Sequence, residues 1–142
     1  MAELLGQHRY QLDSKGRIAL PAKFREAFVD GVYLTLGQDG CLYAFPQDEW
    51  RRRSDEARSR PLSGQEARAF ARIFFGSAER VDLDSQGRLV IPQRLRSQAG
   101  LGREAVVVGV SERLDIWASD AWDRYEQAYA GAYTGGTLEP EG

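Results

Sequence analysis

Apolar and polar residues alternate on either side of a short polar stretch near the start of the chain. Tyr10 and Leu12 precede Asp13-Ser14-Lys15-Gly16, and Ile18 and Leu20 follow it. Period-two alternation around a glycine-bearing turn predicts a β-hairpin, with Gly16 the natural site of a positive φ. The pattern returns past the middle of the chain as Val81-Asp82-Leu83, the turn Asp84-Ser85-Gln86-Gly87, and Leu89-Val90-Ile91. Pro21 and Pro92 follow the two hairpins. A proline lacks the amide a ladder needs but suits the first turn of a helix, so short helices are expected over Ala22–Phe28 and Gln93–Ala99. Further strands are predicted at Val32–Leu36 and Leu42–Phe45, and at Ala105–Val110 and Leu114–Trp117, joined by turn-forming residues. A helix then closes each half, from Gln47 to about Arg58 and from Asp120 to about Ala130, with Ser119 as the expected N-cap of the latter.

These correspondences amount to an internal repeat. Leu12-Asp13-Ser14-Lys15-Gly16-Arg17 is answered by Leu83-Asp84-Ser85-Gln86-Gly87-Arg88 at an offset of 71, and the echo continues through Lys23-Phe24-Arg25 and Arg94-Leu95-Arg96. After one inserted residue the offset is 72, which pairs Leu42 with Leu114, Phe45 with Trp117 and Trp50 with Trp122. Two copies are too few for a solenoid, which needs at least three stacked units, so a pseudo-symmetric pair is expected. Between the halves, Ser63-Gly64-Gln65-Glu66 spells a capping box. Ala67, Phe70, Ala71 and Phe74 follow at helical spacing, predicting a packed amphipathic helix that ends near Gly76. The phenylalanines of this helix exceed what it can bury at home, so part of its surface is a candidate subunit interface. The organisation expected is a first half over 6–60, a connecting helix over 61–77, a second half over 78–130 and a flexible tail over 131–142.

Composition narrows the function classes. The 142 residues suit one compact domain or two intimate halves, since about seventy residues alone bury too little apolar surface to be more than marginally stable. No apolar run is long enough to span a membrane, and Met1-Ala2-Glu3-Leu4-Leu5 does not resemble a signal peptide, so a cytoplasmic protein with no membrane partner is expected. One cysteine, Cys41, and one histidine, His8, leave no disulfide and no ordinary zinc site, and neither a metal nor a cofactor is expected. A net charge of -2 argues against nucleic-acid binding by bulk positive charge. Any such binding must be local.

Candidate chemistry is concentrated in the two turns, where Lys15 and Arg17, or Gln86 and Arg88, flank a glycine that lets backbone approach a partner. An arginine fork matches a phosphate or the O6/N7 edge of guanine, and a glutamine can pair with adenine. The plain alternative is that glycine makes the turn, the Asp caps it, and the Arg is a solvated strand residue paired with that Asp. Arg51-Arg52-Arg53, Arg58 and Arg60 form a secondary basic stretch whose ordinary role is the solvated face of a helix. Lys23, Arg25, Arg94 and Arg96 are also duplicated and could support the turn or form ion pairs between subunits, with structural pairing the preferred reading. Trp50, Trp117, Trp122, Tyr125 and Tyr129 read as core and its edges. No catalytic constellation is found: His8 has no counterpart in the second half, Cys41 reads as an inert thiol, and Asp13 and Asp84 each suit their own turn better than an acid pair.

The segments LDSKGRIALPAKFR, YLTLGQDGCLYAFP, ARAFARIFFGSA and LDSQGRLVIP together resemble the MraZ family of bacterial transcriptional regulators, and the resemblance runs from about Gly6 to Tyr129. It implies an α+β, mainly β fold of two AbrB-like halves whose swapped hairpins interlock into a small β-barrel with flanking helices. It also implies ring-shaped homo-oligomers and a nucleoid-associated repressor of the division and cell-wall gene cluster, binding short direct repeats in double-stranded promoter DNA. The family's DNA-contacting residues carry over onto Lys15, Arg17, Gln86 and Arg88. The competing class is an antitoxin-like or scaffold oligomer whose basic turns hold a protein partner.

Overall fold

The computed structural model describes residues 3–140. Its strands are β1 (Leu4–Gln11), β2 (Arg17–Ala19), β3 (Val32–Leu36), β4 (Leu42–Pro46), β5 (Glu79–Val81), β6 (Arg88–Val90), β7 (Glu104–Ser111) and β8 (Leu114–Ala118). The helices are α1 (Ala22–Arg25), which continues as a 3-10 turn through Phe28, then α2 (Gln47–Ser59), α3 (Gln65–Gly76), α4 (Gln93–Gln98) and α5 (Ser119–Thr134). Most elements fall within a residue or two of the positions predicted from periodicity. The helices hold more residues than the strands, so the fold is α+β but not mainly β.

The strand partners differ from local hairpins. Each turn closes as expected, with the Asp13 amide donating to the Arg17 carbonyl and the Asp84 amide to that of Arg88. Beyond that bond the two strands part. β2 pairs antiparallel with β6, giving Arg17↔Val90, Ile18↔Leu89 and Ala19↔Arg88. β1 pairs along its full length with β7, and β5 with β3. Each half therefore lends its first strand to the sheet of the other. The six-stranded order β1-β7-β8-β4-β3-β5 maps onto itself when the two halves are interchanged, with the pseudo-twofold between β8 and β4.

Among the described residues the sheet does not close into the expected barrel. β1 and β5 are free edges of the six-stranded sheet, and β2–β6 is a separate two-stranded ribbon. The ribbon is kept short by its sequence, because a left-handed glycine bounds each strand on one side and a proline, unable to donate to a ladder, bounds it on the other. Its inward residues Ile18 and Leu89 are fully buried, in one core with Leu20, Ile91, Leu34, Leu42, Val107 and Ile116 of both halves. Phe24 of α1 and Leu95 of α4 close the same core.

The linking helix α3 is packed, not loose. Thr35 Oγ1 donates to the Phe74 carbonyl at 2.6 Å, and the Leu36 amide donates to Ser77 Oγ at 3.1 Å, which ties the end of α3 to β3. Two predicted caps are absent. Gly64, not Ser63, is the N-cap of α3 and no side chain bonds there, while Ala118 caps α5 and Ser119 Oγ instead accepts from Arg9 at 3.0 Å. α5 also runs on to Thr134, into the segment expected to be a flexible tail, and ends at Gly135. Gly131 stays in the helix because its carbonyl accepts the Gly135 amide at 2.9 Å. Among the described residues no helix is long and apolar enough to cross a membrane.

Candidate functional site

The two turns are nearly identical. In the first, Asp13 Oδ1 accepts the amides of Lys15 and Arg17, each at 2.9 Å, and its Oδ2 accepts Arg17 Nε at 2.6 Å. In the second, Asp84 Oδ1 accepts the amides of Gln86 and Arg88 at 2.9 Å, and Oδ2 accepts Arg88 Nε at 2.7 Å. A short acceptor three or four bonds from the backbone can reach the amides two and four residues on, which is why Asp begins both turns. The backbone amide and guanidinium of Arg17, with the Lys15 amide, hold the Asp13 carboxyl down at about 2. Asp84 is lowered by the equivalent groups.

This geometry joins the two readings of the turn. The arginine is paired with the aspartate, as the plain reading expects, but only through Nε. Among the described residues the Nη groups of Arg17 and Arg88 make no hydrogen bond, so each fork is fixed at its base and open at its tip. A guanidinium already oriented loses less side-chain freedom on meeting a planar acceptor.

The ribbon brings the turns together. Side chains alternate across a strand, so with Ile18 and Leu89 inward, Arg17, Ala19, Arg88 and Val90 face outward. Arg17 and Arg88 lie diagonally across the ladder, a relation that spaces neighbours by about 7–8 Å. Lys15 and Gln86 are exposed at the adjoining turns, and among the described residues their side chains make no hydrogen bond. All four predicted site residues thus belong to one surface, contributed by both halves.

Arg25 and Arg96 join the same surface. Arg25 Nε donates to the Leu20 carbonyl and Arg96 Nε to the Ile91 carbonyl, both at 2.9 Å. Their duplication at the repeat offset was the only sequence signal, and it did not reveal that each lies over the opposite half. Lys23 instead sits over the Phe24 ring, 5.1 Å from its centroid, and Arg94 donates to the Ser77 carbonyl.

The other candidates are elsewhere and are engaged. Arg52 and Arg53 pair with Glu49 and Glu112, Arg60 with Glu56, and Arg58 with Asp55, so the basic stretch is largely self-neutralised. Burial pushes the Cys41 thiol up to about 12, leaving it protonated and a poor nucleophile at neutral pH. His8 lies half-buried on the edge strand β1 against Phe24, and burial with the nearby Lys23 lowers its imidazole. Trp117 is buried, while Trp122 and Tyr125 are half-buried against it, as core-edge residues should be.

The family described as "MraZ protein, putative antitoxin-like" matches the chain twice in tandem, over residues 4–73 and 74–133. A protein named transcriptional regulator MraZ from Pelotomaculum thermopropionicum is 44% identical over 129 residues, spanning 91% of this chain and 89% of its own. Proteins of the same name from Paenarthrobacter aurescens and Alkaliphilus metalliredigens are 50% and 45% identical over 121 residues, in each case 85% of both chains.

Proposed function

The chain belongs to the MraZ family, and on that premise we propose that it is a transcriptional regulator that reads duplex DNA with the β2–β6 ribbon. The observation that carries this reading is the diagonal pair Arg17 and Arg88, outward on one ribbon, each anchored through Nε and open at Nη. A two-stranded ribbon fits the major groove, where an arginine fork on guanine contributes about 1–3 kcal/mol of discrimination against the wrong base. Arg17 and Arg88 supply base contacts in this reading. Lys15 and Gln86 contact neighbouring phosphates or base edges from the turns.

A net charge of -2 is compatible with this, because the charge near the ribbon is local: Lys15, Arg17, Arg25, Arg88 and Arg96 stand against Asp13 and Asp84. Single-subunit binding is then weak, and affinity comes from a homo-oligomeric ring whose ribbons meet successive direct repeats in the promoter, each contact raising the effective concentration of the next. The family resemblance supports repression of the division and cell-wall gene cluster as the outcome. No enzymatic role is proposed.

The test is fluorescence anisotropy across a salt series, with a duplex from upstream of the protein's own gene, a scrambled duplex and the Arg17→Ala variant. Selective binding by the native protein, falling steeply with salt and lost in the variant while the oligomer keeps its size, is the expected result. Equal binding to both duplexes, or none, would remove the reading and leave the turns to a protein partner.

A further inference from the structure

The turn glycines Gly16 and Gly87 have φ of +76° and +73° and are buried, although the residues around them are solvated. What covers them comes from the opposite half. A β-carbon built on Gly16 would fall 2.6 Å from Cζ and Nε of Arg96, and one on Gly87 would fall 2.6 Å from Cδ and Cζ of Arg25. Each guanidinium is a plate laid on the bare backbone of the other half's turn. The plates are fixed at their bases by the Nε bonds to Leu20 and Ile91. Those same two residues donate their amides to the turns, Leu20 to the Gly87 carbonyl at 3.2 Å and Ile91 to the Gly16 carbonyl at 3.0 Å. Strand end, plate and opposite turn therefore form a closed mechanical loop, present twice.

We infer that Arg96 positions the Lys15–Arg17 turn and Arg25 positions the Gln86–Arg88 turn, so that each half presents the DNA-reading side chains of the other. This rests on the proposed DNA reading, and it goes beyond it by assigning a crossed dependence that neither half could show alone. Glycine is required at positions 16 and 87 on two counts: the left-handed backbone and the space for the plate. Arginine is required at 25 and 96 because a planar group anchored at Nε covers a turn in a way a lysine ammonium does not.

Double-mutant cycles in DNA affinity test the crossing, with the whole chain and the same promoter duplex. Arg96→Ala and Arg25→Ala are each expected to weaken binding about tenfold, as a single misplaced contact would. Arg96→Ala should be non-additive with Arg17→Ala and additive with Arg88→Ala, and Arg25→Ala the reverse. Arg96→Lys should behave like Arg96→Ala. The second arm needs no DNA: in amide NMR spectra, Arg96→Ala should shift Gly16 and Arg17 and leave Gly87 and Arg88 in place. Full rescue by lysine, or additivity in both cycles, would make these arginines independent phosphate contacts and overturn the inference. Equal NMR changes in both turns, or none in Gly16, would overturn it as well. If the native protein binds no promoter DNA, the positioning role fails with the proposed function, and the NMR arm reports separately whether the crossed brace exists.

Discussion

The two turns and the two closing helices are equivalent pairs of one repeat, yet they differ in how closely they match. The turns agree to within about a tenth of an ångström in their carboxylate bonds. The closing helices do not agree. Trp50 of α2 is sandwiched between Tyr33 and Phe74, with ring centroids 5.5 and 5.2 Å away. Trp122 of α5 rests on Trp117 and Tyr125 at 5.4 and 5.9 Å, and its indole N–H donates to Gln7. The difference is α3, which covers the first tryptophan and has no counterpart among the described residues of the second half. Near the ribbon the copies face one another, and each must fit the other's strand. At the periphery each copy only has to shield its own aromatic residues.

The largest expected effect is on this asymmetry. Phe74→Ala, which strips the cover from Trp50, should cost about 3 kcal/mol of unfolding free energy in denaturant titration, in the range for a buried phenylalanine. Trp122→Ala should cost less, about 1–2 kcal/mol, because its ring is only half-buried. Equal losses would mean that the halves carry equal load despite α3. Next come the arginines. Arg17→Ala and Arg88→Ala should weaken binding to the promoter duplex by similar factors, about 10- to 100-fold per site, while lowering unfolding stability only slightly through loss of the pair with Asp13 or Asp84. A large inequality between them would break the equivalence of the turns.

A smaller effect is acid sensitivity. A carboxyl held below its ordinary value stabilises the folded state above that value, and the contribution fades as pH falls towards the folded value. For Asp13 the window runs from its ordinary 3.8 down to about 2. Carboxyl NMR should follow Asp13 titrating near 2 and Asp84 also below its ordinary range, with the Lys15 and Arg17 amides moving in step with Asp13. An ordinary titration for Asp13 would mean that its bonds to the turn are not held in solution. The smallest effect is at the absent cap. Ser63→Ala should change stability by less than about 0.5 kcal/mol, since no side chain caps α3.

What was legible in the sequence was local. Alternation placed β3 and β4 almost to the residue, and the duplicated Asp-x-x-Gly-Arg motifs placed the two carboxylate-closed turns. Period two reports that Ile18 and Leu20 share a face, but not which strand lies beside them, so the hairpins read as self-paired when β2 belongs with β6. Ser63 and Ser119 have the chemistry of caps, and their loss reflects tertiary choices: Ser119 bonds Arg9 of β1 and Gly64 takes the capping position. Arg25 and Arg96 were visible as duplicates, but repetition reveals equivalence and not crossing. Phe70 follows the sequence more closely, for the excess of phenylalanine on α3 leaves it 47% exposed while Phe74 is buried.

The β2–β6 ladder joins residues some seventy positions apart, and this orders events during synthesis. A ribosome that has released the first motif has made Lys15, Arg17 and their aspartate, but neither the strand opposite them nor the Arg96 plate that covers Gly16. Long-range pairings of this kind form late, after the intervening chain is made. A truncated or half-made polypeptide therefore carries a full copy of the motif without the ribbon that presents it.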